Sequence, residues 1–107
     1  MKTGKAIKKV PVEFFLLENT IPSMMAFYKF VHGKPPYEEP GSAITQDKWW
    51  EYCTACSHNG YMPLKTLESG EGTQNANFGD YILKGIDGEC WPIKADIFAR
   101  TYDIINT

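Results

Sequence analysis

Arginine and long apolar runs are scarce in this sequence. One arginine, Arg100, accompanies ten lysines, so a bidentate clamp on a phosphate or carboxylate depends on that residue alone. The longest apolar stretches, Val12 to Leu17 and Met24 to Val31, are interrupted by charge and are shorter than the roughly 20 residues that cross a bilayer. The net charge of −2 provides no basic field for duplex binding by counterion release. We therefore expect neither a membrane nor long nucleic acid as a partner.

Cysteine is also scarce, and its number is odd. Cys53, Cys56 and Cys90 cannot all pair, and the lysine-rich start, Met1 to Lys9, contains no apolar core of a secretion signal. We therefore expect reduced thiols in a cytoplasmic protein. Together with His58 the thiols offer four zinc ligands, but the second ligand pair is not closely spaced, which favours buried thiols instead. The sequence predicts no metal and no cofactor.

Length and composition are typical of one globular domain. A chain of 107 residues with 43% hydrophobic and 22% charged residues is large enough for one core and too small for two. Its start, Ala6 to Leu17, is β-rich, and Pro11 there favours a sheet edge or a strand end. The predicted fold class is α+β: a small antiparallel β-sheet with two to three helices, in a single domain spanning residues 1–107.

Two helices are predicted from apolar spacing and from their terminal residues. The first has Pro22 in its first turn and ends at Gly33. The second begins after Thr45 as N-cap and ends at Asn59-Gly60. One stripe of this second helix carries Trp49, Tyr52, Cys53 and Cys56. Trp50 lies off that stripe and is either a second buried anchor or an exposed ring. The proline-rich segment between the helices, about residues 33–45, is interpreted as an ordered loop or a mobile flap.

Short strands follow the second helix. They are predicted at Tyr61 to Leu67, Thr73 to Phe78, Asp80 to Lys84 and Glu89 to Lys94, with a polar turn at Glu68 to Gly72. Asp87-Gly88 indicates a two-residue hairpin turn, because both residues tolerate positive φ. Asp96 is predicted to be the N-cap of a last helix with Ile97, Phe98 and Tyr102 on one face.

Aromatic and polar side chains near this hairpin and last helix form the candidate ligand-binding set: Asn77, Phe78, Tyr81, Trp91, Lys94, Phe98 and Arg100. An aromatic face can stack on a base, and arginine or lysine can hold a phosphate, so the set predicts a nucleotide-like ligand. The alternative is that Trp91 and Phe98 belong to the core while Lys94 and Arg100 are solvated. No serine has a nucleophile elbow around it, and the glycines form no phosphate loop, so we expect no catalytic residues.

The most specific signal lies between Phe78 and Tyr102. It reads Phe-Gly-Asp-Tyr-Ile-Leu-Lys-Gly-Ile-Asp-Gly-Glu-Cys-Trp-Pro-Ile-Lys-Ala-Asp-Ile-Phe, followed by Thr101-Tyr102. This string resembles a C-terminal signature of small phage and prophage proteins, Pro-Gly-Asp-Trp-Ile-Ile-x-Gly-x-x-Gly-Glu-Phe-Tyr-Pro-Cys-Lys-Pro-Asp-Ile-Phe-x-x-Thr-Tyr-Glu. Lys8 to Glu13 and Lys65 to Glu68 resemble that family's opening and its middle strand. The second helix and the loop before it have no counterpart there.

The resemblance implies a viral origin and, through the similar architecture of the Thoeris anti-defence proteins, a function. Those phage proteins sequester cyclic ADP-ribose isomers made by a bacterial TIR-domain immune enzyme, without cleaving them. The resemblance thus implies a non-enzymatic protein of the host cytoplasm, with adenine on Phe98 or Trp91 and the pyrophosphate on Arg100 and Lys94. A homodimer or higher homo-oligomer could close over such a ligand. Two alternatives stay open: direct inhibition of a host defence protein through the acidic loop and exposed tryptophans, and an enzyme acting on a small nucleotide.

Overall fold

The computed structural model describes residues 2–7, 9–37, 44–65 and 73–105. Within these residues the chain forms three helices and five strands, in the order β1 (Glu13–Leu16), α1 (Ile21–His32), α2 (Gln46–Asn59), β2 (Tyr61–Lys65), β3 (Thr73–Asn77), β4 (Tyr81–Lys84), β5 (Cys90–Ile93) and α3 (Ala95–Thr101). The predicted α+β fold class is confirmed. The strands form two small antiparallel sheets, where the sequence predicted one.

The larger sheet has β4 at its centre, with β1 and β5 as antiparallel neighbours. Ile82 of β4 lies opposite Phe15 of β1 and opposite Pro92 of β5. In the smaller sheet, β2 and β3 pair so that Met62 lies opposite Ala76. Because β1 pairs with β4 on one side, it forms an edge of the larger sheet.

The two faces of the larger sheet have different surroundings. Alternation along the strands places one set of side chains toward the main core: Phe15, Leu17, Ile82 and Cys90, all part of or packed against the main cluster. We call this side the core face. The opposite set consists of Phe14, Tyr81, Leu83 and Ile93, and the Phe14 and Tyr81 rings contact Phe98 of α3. We call this side the α3 face.

Both predicted long helices are confirmed, including their ends. The Thr20 hydroxyl accepts a hydrogen bond from the Ser23 backbone N–H at 3.2 Å, and Pro22 lies in the first turn of α1. Thr45 caps α2 in the same way, accepting from the Lys48 N–H at 3.3 Å. Each helix ends at a glycine in the left-handed region. Glycine adopts this conformation without steric cost because it has no Cβ atom.

The predicted stripe of α2 divides between core and surface. Trp49, Cys53 and Cys56 are buried, and all three cysteines of the chain are free thiols. Tyr52 lies partly exposed at the border of the stripe. Trp50 is 47% exposed, so of its two predicted positions the exposed ring is the one observed.

Several predicted boundaries in the strands were too wide. The β-rich start spans residues 6–17, but β1 pairs only over Glu13–Leu16. Pro11 lies just before this edge strand, as predicted for a residue without a backbone N–H. The predicted turn at Glu68 to Gly72, the end of the strand before it and the middle of the proline-rich loop lie outside the described residues.

The β4–β5 hairpin turns one residue earlier than predicted. The Gly88 N–H donates to the Gly85 carbonyl at 3.1 Å, so Ile86 and Asp87 occupy the central positions of the turn. Gly88 follows with φ +83, and the Gly85 N–H donates to the Glu89 carbonyl at 2.9 Å. This is a three-residue loop closed by a left-handed glycine, not the two-residue turn that Asp87-Gly88 indicated.

The predicted N-cap of the last helix was wrong. Asp96 lies inside α3, and Lys94 occupies the N-cap position without a side-chain hydrogen bond to the helix. Pro92 and Ile93 still belong to β5, so the chain turns into the helix directly from the strand. Asp96 instead places a carboxylate in the first turn, where it interacts favourably with the helix dipole.

Candidate functional site

Two of the seven predicted ligand-binding residues, Tyr81 and Phe98, lie in direct contact. Their rings stack with centroids 4.1 Å apart and planes 17° apart. Tyr102 stacks on Phe98 at 5.4 Å, and Phe14 lies 5.3 Å from Phe98 at a tilted angle. Phe98 is 5% exposed, so these neighbours occupy the ring faces that a base would need.

The two predicted phosphate ligands lie away from this stack. Arg100 and Asp96, both largely exposed, form an ion pair one turn apart with 4.0 Å between nitrogen and oxygen. The Arg100 Nε also donates to the Asp96 carbonyl at 3.4 Å. Lys94 is exposed, and its carbonyl accepts the Phe98 N–H at 2.9 Å. Both cations therefore have the solvated positions that the alternative interpretation assigned to them.

Of the other three predicted residues, only Trp91 lies on the same side of the sheet as this stack. Asn77 ends β3, and its backbone N–H donates to the Asp80 carboxylate at 3.0 Å. Phe78 packs against the main core. Trp91 is half-buried in β5 opposite Leu83, which places it on the α3 face. The seven residues thus do not converge on one pocket.

A groove on the α3 face has a volume of about 1010 Å³. It lies between the N-terminal segment with β1 on one side and α3 with the C-terminal segment on the other. We call it the terminal groove, and its lining residues are Ile7, Lys9, Val10, Pro11, Val12, Glu13, Phe14, Ile93, Ile97, Phe98, Thr101, Tyr102, Asp103, Ile104 and Ile105. Phe98 is the one predicted ligand-binding residue among them.

The walls of the terminal groove are stretches of consecutive residues. Residues 9–14 line one wall and residues 101–105 the other. Of these residues only Glu13 and Phe14 belong to a strand, β1, whereas Thr101 ends α3, so the strand edge that borders the groove is that of β1. The groove therefore offers backbone donors and acceptors as well as apolar side chains.

The outer side of β1 has the hydrogen-bonding groups of an edge strand. The Leu17 N–H donates to the Asp80 carbonyl at 3.0 Å, so Leu17 faces β4. Alternation along an antiparallel ladder then turns Phe15 and Glu13 toward β4 and turns the backbone groups of Phe14 and Leu16 outward. Such outward groups are a template for pairing with another strand.

The side chains of the groove are apolar with few charges. Val10, Phe14, Ile104 and Ile105 are exposed large hydrophobic residues, with Phe14 at 42% exposure. Among the described lining residues, the charged ones are Lys9, Glu13 and Asp103. This chemistry suits an extended apolar segment with a basic flank and provides no convergent cations for a phosphate.

Sequence reasoning missed almost all of the groove. Ile104 and Ile105 follow the last helix, and Ile7 and Val10 precede the first strand. Ile104 and Ile105, which lie outside any predicted element, were the available signal, because large apolar residues need either a core position or a partner. Their closeness in space could not be predicted, since it depends on how the two ends of the chain meet on one sheet face.

The chain matches no protein-family model, no curated protein and no solved structure. The resemblance to phage proteins and the functions that it implies therefore stay predictions. Among residues 2–7, 9–37, 44–65 and 73–105, no cluster of three or more metal-binding side chains occurs. Within the same ranges, every helix is too short or too polar to cross a bilayer.

Proposed function

We propose that the protein is a non-enzymatic binding module that holds an extended apolar segment of a partner protein in the terminal groove. The observation that carries the proposal is the outward edge of β1 at Phe14, which borders the groove opposite the exposed side chains of Ile104 and Ile105. A segment lying between them would add backbone hydrogen bonds at β1 and bury its alternate side chains against Phe14, Ile97 and Ile104.

Charge adds a preference to this proposal. Among the described lining residues, Glu13 and Asp103 outnumber Lys9, so we expect the bound segment to carry lysine or arginine beside its apolar residues. We further propose the bacterial cytoplasm as the compartment. Binding of a host protein was one of the alternatives that the sequence left open, but that alternative placed the contact on the acidic loop and the exposed tryptophans, whereas this proposal places it in the terminal groove.

Sequestration of a cyclic ADP-ribose isomer stays a second prediction with less support. It needs an open aromatic face and convergent cations, whereas Phe98 is enclosed by rings and Arg100 pairs with Asp96. A pocket completed by a second copy would have to supply these groups.

Selection from a random library of displayed heptapeptides tests the proposed function. We expect the selected peptides to alternate apolar residues and to carry a basic residue. Ile104→Lys places a charge in the groove, and it should weaken their binding by about tenfold or more, because the peptide loses the Ile side chain, 57% exposed in the free protein, that it would cover. Ile86→Lys is the matched control, since Ile86 is 77% exposed at the hairpin turn, away from the groove.

Methylation of one backbone nitrogen in the best peptide separates strand pairing from simple apolar contact. The proposal expects this change to weaken binding when the nitrogen faces β1. Equal binding of the methylated peptide, or equal effects of Ile104→Lys and Ile86→Lys, would contradict it. Sedimentation that shows a dimer dispersed by Ile104→Lys would identify a second copy of the chain as the occupant instead.

A further inference from the structure

Four of the described strands form a sheet edge, and the two edges of the smaller sheet lack a free backbone donor at one position each. The hydrogen bond from the Phe78 N–H to the Gly60 carbonyl at 3.3 Å fixes the alternation of this ladder, which turns Pro63 of β2 outward. Proline has no N–H to offer. The Asn77 N–H of β3 also points outward, and it donates to the Asp80 carboxylate at 3.0 Å. Both edges are therefore poor templates for another strand.

The two edges of the larger sheet, β5 and β1, differ from each other. The Gly85 N–H donates to the Glu89 carbonyl, so Glu89 faces β4 and alternation turns Pro92 of β5 outward, again without a donor. β1 turns the backbone N–H groups of Phe14 and Leu16 outward. Among the described strands, β1 is therefore the edge to which a further strand adds best.

A strand added to β1 meets side chains on both faces of the larger sheet. Phe14 and Leu16 alternate onto the α3 face, where they are 42% and 38% exposed. Glu13 and Phe15 alternate onto the core face, where Glu13 is exposed and the Phe15 ring stacks on Phe30 with centroids 5.7 Å apart. The added strand therefore needs apolar residues at every second position, and the residues between them face Glu13 and Phe15.

The Glu13 carboxylate is a charge available to such a strand. Its ladder partner is Lys84 of β4, but the Lys84 ammonium lies over the Phe30 ring, 4.5 Å from the ring centroid. No described residue forms an ion pair with Glu13. Burial is the main cause that raises the pKa of the Cys90 thiol, and the Glu13 carboxylate adds to it, in agreement with a core-face position for Glu13. A cation on the added strand would pair with this carboxylate from the outer side.

We propose that the partner segment adds to β1 as an antiparallel strand and sets a lysine or arginine directly opposite Glu13; this register rests on the proposed function. Antiparallel pairing is the more stable ladder and brings opposite residues close together. From its N-terminus the segment then reads apolar, aromatic, apolar, basic. These residues lie opposite Leu16, Phe15, Phe14 and Glu13 in turn.

Two hexapeptides of equal composition test this register. Thr-Val-Tyr-Val-Lys-Thr has the proposed order, whereas Thr-Val-Lys-Val-Tyr-Thr exchanges the tyrosine and the lysine. Fluorescence anisotropy of labelled peptides, titrated with the whole chain at low salt, gives both affinities. We expect the first peptide to bind about fivefold more tightly, because only its antiparallel pairing sets lysine opposite Glu13. Tighter binding of the second would indicate a parallel strand and would overturn the proposal.

Glu13→Gln removes the charge and keeps the shape of this exposed side chain. We expect it to abolish the preference for the first peptide. Asp103→Asn is the matched control, because it removes one negative charge from the same groove without changing the edge of β1. The preference should survive in Asp103→Asn. Equal effects of the two variants would assign the attraction to the overall charge of the groove and overturn the register.

The register and the proposed function fail in different ways. Equal affinities for the two hexapeptides, both weakened by Ile104→Lys, would overturn the register and keep the function of the groove. Library peptides that bind while neither hexapeptide does would have the same meaning. If no peptide of either kind binds, both the register and the function are wrong.

Discussion

The two faces of the larger sheet differ in how completely the chain covers them. On the core face, Leu17, Ile82 and Cys90 join a cluster that extends through α1, α2 and β2. On the α3 face, Leu83 and Phe98 are buried, but Phe14 remains 42% exposed beside the terminal groove. A seven-residue helix cannot cover a three-stranded sheet. One face therefore supports the fold, and the other leaves apolar surface for a partner.

The largest expected effect is a slow reaction of the thiols, because the main core buries all three cysteines. Cys53, Cys56 and Cys90 are buried, and burial raises the pKa of each thiol. A protonated, inaccessible thiol reacts only when the protein opens, so alkylation by iodoacetamide at pH 8 should be slower than in the unfolded chain by about 10³-fold or more. Mass spectrometry counts the modified thiols. A single thiol that reacts early would show that the core face opens locally.

The same thiols give a dependence on pH with a defined sign. Burial raises the pKa of Cys53 to about 11 from its ordinary value of 9.0. Between these two values the unfolded chain loses a proton that the folded chain keeps, so the free energy of unfolding falls as pH rises. Below pH 9.0 the thiol is protonated in both states and contributes no slope. Cys53→Ala should reduce the fall of the unfolding free energy with pH in this alkaline range, measured by urea unfolding at several pH values. An unchanged slope would mean that other groups cause it.

Two neighbouring residues of β4 compare the faces directly. Ile82 and Leu83 are both 0% exposed, but Ile82 points to the core face and Leu83 to the α3 face. Ile82→Ala should reduce the free energy of unfolding by about 2–5 kcal/mol, because the packed main core cannot collapse into the cavity. Leu83→Ala should fall in the lower part of that range, since α3 has open space beside it into which it can shift. Urea unfolding measured by circular dichroism gives both values. An equal or larger loss for Leu83→Ala would mean that the two faces are equally rigid.

The sequence predicted the core side better than the α3 side, and the reason is local chemistry. Thr45, Gly33 and Gly60 define helix ends through their own side chains or their own φ angles, so these boundaries could be read directly. α3 has no such cap, and its start depends on where β5 ends. The N-cap position therefore falls on Lys94, directly after β5, and not on the predicted Asp96.

The candidate site could not be predicted for a related reason. Aromatic and cationic residues close in sequence around α3 were expected to share a ligand, but a short helix turns successive side chains in different directions. Phe98 points into the sheet, whereas Arg100 remains on the surface with Asp96. The terminal groove joins segments distant in sequence, and no local pattern indicates such a pairing.

Changes to the caps of α2 and α3 should alter helix stability by an intermediate amount. Thr45→Ala removes the side-chain acceptor of the Lys48 N–H and should cost about 1 kcal/mol. Lys94→Ser supplies a cap that α3 lacks, at a residue already in the extended conformation, and should stabilise that helix by about 0.5–1 kcal/mol. Hydrogen exchange of the amides of α2 and α3 measures both effects. Lys94→Ser without a gain in α3 protection would show that packing, and not the missing cap, limits this helix.

Arg100→Ala should have the smallest effect on stability. The Arg100–Asp96 pair is exposed and spans one helical turn at 4.0 Å, so its loss should change the free energy of unfolding by less than about 0.5 kcal/mol. Because the variant remains folded, it also isolates the role predicted for this sole arginine in holding a pyrophosphate. Isothermal titration with a cyclic ADP-ribose isomer compares it with the unaltered protein, and Lys48→Ala, which breaks the exposed pair with Glu51, is the matched control. Tight binding lost in Arg100→Ala but kept in Lys48→Ala would make the α3 face a nucleotide site. Equal binding by both variants and the unaltered protein would contradict a nucleotide site that uses Arg100. The terminal groove would then stay the proposed binding site on the α3 face.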